Sequence, residues 1–199
     1  MPMPTVDKRT GDNVFTDGSV SGLQVLLTDT EAQQVYGDSA VGGWYAFAET
    51  DSSGVMRETD EEQIKNEAGE IVKNVRQQDD GVINATLLQT DTPTMKLLDL
   101  LSKSPHRYRI GYPVGTIEVS DGSGGTIEVE GTQLYGLRNG FAPSSFEVNG
   151  EDGEQRTRDI EIRGSRKGGK EAIVYGDVDP DDETTWPAEL EEFKTGAAA

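Results

Sequence analysis

The sequence predicts a mainly β protein, a β-sandwich or barrel with one principal α-helix at about residues 92–103. Three observations predict it. The 199 residues include 24 glycines among many Thr, Val and Ser, a mixture that favours short strands and turns over long helices. Short apolar–polar alternations recur between clusters of turn residues. The one segment rich in large aliphatic residues, "DGVINATLLQTDTPTMKLLDLLSKS" at 80–104, reads as a strand, a stop and a short helix.

In chain order, residues 1–13 are polar and proline-bearing, and are expected as a mobile arm. Residues 14–176 are expected as the β domain and 177–199 as an acidic C-terminal extension. A strand is expected at 23–28. A hairpin follows at 44–58, turning at 51–54, and a second hairpin turns near 67–69. The acidic run 58–62 reads most simply as a solvated loop or turn. In the strand at 82–90, Ile83, Ala85 and Leu87 share one face, while Val82, Thr86 and Leu88 share the other, so both faces are expected to be covered. Thr92 suits an N-cap and Pro93 the first helical position. Leu97, Leu98 and Leu101 then lie on one helical face, widened by Met95 and Leu100. Ile83, Leu87, Leu97, Leu98 and Leu101 are thus the expected core of a strand–helix unit. Strand pieces at 108–113 and 115–120, a turn at "DGSGG" and a long alternating strand from 126 come next. A hairpin turning at 149–153, a last short strand near 170–176 and a short helix after Pro187 complete the reading.

Composition limits the core. Hydrophobic residues make up 33% of the chain. Leu, Ile, Val and Phe reach roughly a fifth, close to the level at which chains stop folding alone. Either the core is thin or other copies of the chain complete it. The net charge of −19, from 37 acidic and 18 basic residues, repels free nucleic acid and argues against sequence-specific DNA binding. It also fits the acidic surface of a halophile. With no cysteine there is no disulfide and no thiolate chemistry. No apolar run approaches the ~18 residues of a membrane span, and no signal-peptide pattern opens the chain, so a cytoplasmic product without a membrane partner is expected.

Candidate chemistry is sparse. His106 is the only histidine, no serine sits in a Gly-x-Ser-x-Gly elbow, and a packing histidine beside a helix end is the expected role. "DVDPDDE" at 177–183 offers oxygens to a hard cation, but a calcium loop needs Gly where Asp182 stands and Glu where Ala188 stands. Residues 122–125 lead into a strand and lack the lysine of a phosphate loop. No cofactor is expected. The informative cluster is basic: Arg156, Arg158, Arg163, Arg166, Lys167 and Lys170 place six of 18 basic residues within fifteen positions. Arg156 and Arg158 share a strand face. The cluster reads either as a solvated hairpin or as a patch that docks on the acidic surface of another copy.

Residues 68–104, "AGEIVKNVRQQDDGVINATLLQTDTPTMKLLDLLSKS", resemble bacteriophage major tail proteins, the subunits of the tail tube. In that family a hairpin strand precedes a threonine-rich strand, here 84–91, and a capped leucine-rich helix, here 92–101. "TIEVEGTQLYGLRNGFA" and "RTRDIEIRG" resemble the closing strands more loosely. The resemblance implies a tail-tube-like β-sandwich or barrel flanked by a helix, with no enzymatic activity. It implies hexameric rings formed by joining sheets around a channel, stacked into a tube with other tail proteins as partners. DNA passes through the lumen on ejection. The location implied is the virion tail, with synthesis in a bacterial or archaeal host cytoplasm.

Physical chemistry agrees with such an assembly. A chain poor in apolar residues gains burial by sheet augmentation, and carboxylates along a channel keep phosphates from sticking. On this reading Arg156, Arg158, Arg163, Arg166 and Lys167 face neighbouring subunits. The polar segment 52–66 is then a ring-stacking loop, with Asp51, Arg57, Glu61 and Glu62 as its contact residues. The alternative is a monomeric acidic β-sandwich module that binds a cation or carbohydrate, from a high-salt organism. A hydrolase ranks third.

Overall fold

The structure is a computed structural model that describes residues 3–7, 12–16, 22–47, 50–65, 71–87, 92–120, 122–143, 157–166 and 168–195. Its strands are β1 (Met3–Asp7), β2 (Asp12–Thr16), β3 (Gly22–Leu27), β4 (Gly43–Ala46), β5 (Thr50–Lys65), β6 (Ile71–Leu87), β7 (His106–Ser120), β8 (Thr126–Phe141), β9 (Arg158–Ser165) and β10 (Ile173–Val178). The helices are α1 (Asp29–Tyr36) and α2 (Thr92–Leu101), with two 3-10 helices at Glu183–Thr185 and Ala188–Phe193. The protein is mainly β, and one antiparallel sheet of eight strands dominates it. Neighbours run β4-β3-β7-β8-β9-β6-β5, and β10 pairs with β8. The sheet curls so that β3, near one end of the path, approaches β5 at the other.

Strand β8 organises the curl. Its one side pairs with β7; its other side pairs first with β10, at 132–137, and then with β9, at Gly140 and Phe141. At the changeover Arg138 and Asn139 stand opposite Arg107 alone, a bulge in which Asn139 takes φ 50. Gly140 and Gly164 are required at the crossing. A Cβ on Gly140 would lie 2.8 Å from the Tyr108 ring, and one on Gly164 2.6 Å from the Arg138 carbonyl oxygen.

The larger core fills the curl. Ile83, Leu87, Leu97, Leu98 and Leu101 are all buried in it, with Leu23, Val25 and Leu27 of β3, Ile110 of β7, and Ile160 and Ile162 of β9. The second helix starts at Thr92 itself, one residue earlier than its capping pattern suggests. The first helix has no counterpart among the sequence expectations. Thr28 caps it: its hydroxyl accepts from the Glu31 N–H, and Glu31 returns to the Thr28 N–H at 2.9 Å, a reciprocal capping box. Its buried residues Ala32 and Val35 join the same core.

Four expectations are corrected. The expected loop over 52–66 is a strand over its described residues: β5 runs from Thr50 to Lys65, paired with β6, and residue 66 lies outside the described residues. The expected 44–58 hairpin is therefore replaced by β4 pairing with β3 and β5 pairing with β6, and residues 51–54 lie inside a strand rather than a turn. Residues 3–7 and 12–16 pair as a two-stranded hairpin, with β1 against β4, where an arm is expected. Residues 177–195 are no solvated extension: Trp186, Leu190 and Phe193 are buried. The physical reason is their spacing, i, i+4 and i+7, which gathers three large apolar side chains on one side of an otherwise acidic segment.

Candidate assembly surfaces

The C-terminal strap determines which faces of the sheet remain bare. Trp186, Leu190 and Phe193 pack with Leu26, Trp44, Leu134, Val174 and Val178 into a second core, on the side of the sheet away from the first. Gly136 lets the strap approach, since a Cβ there would lie 2.6 Å from the Phe193 ring. Beneath the strap, Arg109 is fully buried. Its Nε donates to Gln24 Oε1 at 2.7 Å and its Nη1 to the Phe193 carbonyl. Its guanidinium lies 4.2 Å from the Trp44 ring centre and 5.9 Å from that of Trp186. Burial pushes its pKa down to about 9, against an opposing pull from Glu183, so the group stays cationic at neutral pH. Arg138, set by the bulge, holds the strap from its edge: it pairs with Glu192 and donates to the Glu171 carbonyl at 2.9 Å. Trp44 Nε1 donates to the Lys194 carbonyl at 3.0 Å and Trp186 Nε1 to the Asp179 carbonyl at 2.7 Å.

One edge of the sheet stays open among the described strands. At one end of the path, β5 is sixteen residues long and pairs only with β6 among the described strands. At the other end, β4 has four residues and β1 lies against it. Two ribbons also run beyond the sheet. Residues 115–120 and 126–131 pair only with each other, as do most of 58–65 and 71–79. In the first ribbon Ile117 opposes Val129 and Val119 opposes Ile127, while Glu118 opposes Glu128. Alternation therefore puts the four β-branched residues on one face and the glutamates on the other. Ile127 is about half exposed, and Tyr175, whose ring is tilted against that of Tyr135 with centres 5.7 Å apart, is exposed too. Ile117, Val119 and Val129 on the same ribbon face are half-buried.

Of the basic cluster expected as a docking patch, the structure removes Arg158 from the surface. Arg158 is 2% exposed, on the β9 face that carries Ile160 and Ile162, and its Nη1 lies against the Met95 sulfur at 2.6 Å. The alternation that put Arg156 and Arg158 on one face is the same alternation that buries Arg158. Arg163 pairs with Glu161 on the opposite, exposed face, and Arg166 donates to the Gly169 carbonyl at 3.3 Å. Arg156 and Lys167 lie outside the described residues. Of the proposed stacking residues, Arg57 pairs with Glu171 at 2.9 Å, and Asp51, Glu61 and Glu62 are strand positions of β5.

His106 packs at the helix pair. Its Nε2 lies 3.0 Å from Glu31 Oε1 and its Nδ1 2.8 Å from the Ser104 carbonyl oxygen. Burial draws the Glu31 carboxyl upward, but the Thr28 N–H, the Thr28 hydroxyl and His106 outweigh it and hold the group below its ordinary 4.5. A carboxylate depressed in the folded state contributes stability above its unfolded pKa and loses it as pH falls through the folded value. Thermal unfolding followed between about pH 6 and pH 3 is therefore expected to show a flatter acid limb for Glu31→Gln than for the parent chain. Parallel limbs would remove Glu31 from the acid transition. Among the described residues no three His, Asp or Glu side chains converge as metal ligands. In the 177–183 segment, Asp179 accepts from the Asp181 N–H and Asp182 from the Thr184 N–H, so both carboxylates serve local turns.

No protein-family model and no curated protein matches the chain. Solved structures are similar to it at low identity. One, described as the virion of a native gene transfer agent particle, is 9% identical with a TM-score of 0.40, covering 77% of this chain and 95% of that one. A sheath–tube complex of an extracellular contractile injection system is 10% identical with a TM-score of 0.41, covering 80% and 91%. The Hcp1 protein of E. coli EAEC 042 is 10% identical with a TM-score of 0.36, covering 78% and 97%. These likenesses are distant, and no role is carried over from them.

Proposed function

We propose that this chain is a structural subunit that joins copies of itself, edge to edge, into a ring around a channel, and that stacked rings form a tail tube. The observation that carries this is β5, a sixteen-residue strand with one side unpaired among the described strands. A long open edge in a lone domain invites pairing with another chain. Because the two ends of the sheet path are unlike, a bare sixteen-residue strand against a four-residue strand with β1 beside it, the β5 edge meets a different surface of the next copy, and such head-to-tail contacts give rings when they close. The apolar face of the β7–β8 ribbon supplies further surface to bury between copies. Six copies per ring, a DNA cargo, neighbouring tail proteins and a place in the virion are what the resemblance of residues 68–104 adds. The role is architectural, without turnover.

The test is particle size by light scattering and negative-stain microscopy across protein and salt concentration. At −19 per copy, self-repulsion opposes association, so added salt is expected to promote it. Annular particles and hollow tubes are the expected result. A monomer at every concentration and salt level overturns the proposal.

A further inference from the structure

The ring reading leaves open which side of the sheet looks into the channel. On one side of β5, β6 and β9 lies the body of the protein. Ile83, Ala85, Leu87, Ile160 and Ile162 face the larger core, which both helices help to fill. On the other side β9 presents Asp159, Glu161 and Arg163, all exposed, and β6 presents Asn84 and Thr86, both half-buried. The register aligns them in rows, Gly54 with Asn84 and Glu161, and Thr86 with Asp159. Gly54 leaves open space above its row. Val82 is the buried residue of this face among those described.

When a sheet closes into a ring by its edges, one of its faces must turn inward. The bulk of each subunit cannot fit inside, so the bare face does. We propose that the bare face of β5, β6 and β9, carrying Gly54, Asn84, Thr86, Asp159, Glu161 and Arg163, is the channel wall. This rests on the ring reading above. The chemistry of the face suits a passing polyanion. Polar side chains dominate it, although Met56, opposite Val82 in the register, is also exposed there, and none of β5, β6 and β9 carries an aromatic residue on which bases could stack. Its arginine is paired with Glu161, and Thr86 donates to Asp159 at 2.6 Å. Phosphates meeting this wall find net negative charge and release no counterions by binding.

The chain has no cysteine, so a single introduced thiol reports its own surroundings. Glu161→Cys and, as a second wall position, Asn84→Cys are compared with Lys96→Cys on the exposed side of α2. Each is reacted with a small maleimide and with a bulky polymer-linked maleimide, before and after assembly. In dispersed protein all three are expected to take both reagents. In tubes, Glu161→Cys and Asn84→Cys are expected to keep reaction with the small reagent and lose it with the bulky one, while Lys96→Cys keeps both. Tubes in which the bulky reagent reaches the wall positions as fast as Lys96→Cys overturn the wall assignment alone. Failure of the parent chain to form tubes overturns the ring reading, and the wall falls with it.

Discussion

Replacing Phe193 by alanine lowers the unfolding free energy by about 3–5 kcal/mol, the usual cost of emptying a buried aromatic site. Phe193 is fully buried near the end of the strap. Its ring centre lies 6.2 Å from that of Trp44, its face covers Gly136, and its carbonyl accepts from the buried Arg109. Losing the ring loosens the lid over a cation that has no access to water, so the cost should fall at the upper end of that range. Single domains have about 5–15 kcal/mol in total, so the variant is expected near the limit of folding. Cutting the chain after Asp179 removes Trp186, Leu190 and Phe193 together and is expected to leave no cooperative transition. Urea unfolding followed by tryptophan fluorescence checks both. A truncated chain that unfolds at the parent midpoint would show that residues 180–199 are the dispensable acidic tail that their charge suggests.

The second large effect concerns assembly. Successive N–H groups on a strand point to opposite sides, so Val55→Pro and Met56→Pro remove donors from different edges of β5. One of the two breaks the ladder to β6 and is expected to cost about 3 kcal/mol or more of monomer stability. The other touches only the free edge. It is expected to leave the monomer's melting temperature close to the parent's and to abolish rings and tubes. Measuring melting temperature and particle size on both variants identifies which is which without prior assignment. An edge-side variant that still assembles would place the joint elsewhere.

The parts of the fold that rest on local pattern were legible in the sequence. The strand–helix unit at 82–101 and the β7–β8 pair declare themselves by aliphatic periodicity and by the "DGSGG" turn. The parts that rest on tertiary pairing were not. Strand β5 is built from Ser, Asp, Gly and Glu, residues of low strand propensity, and is held by its partner β6 rather than by its own preference. The first helix carried its signal, Thr28 with Glu31 three residues on, but it is only eight residues long and easily overlooked beside the strand before it. In the strap, acidic charge masked the i, i+4, i+7 spacing of Trp186, Leu190 and Phe193. Charge counting also misplaced Arg158: its neighbours Ile160 and Ile162 at period two mark the buried face, whatever the charge at its end. The candidate surfaces were the least legible, because an open edge is a property of sheet order, and sheet order is fixed by contacts far apart in sequence.

The most direct measurement of the central claim is hydrogen exchange over 50–65 in dispersed and assembled protein. In the dispersed state, β5 amides that face β6 are expected to be protected and those on the outer edge to exchange at rates close to those of exposed backbone. On assembly the outer-edge amides become protected as a neighbouring copy pairs with them. Assembled particles whose outer β5 amides exchange as fast as in the dispersed chain would contradict the account.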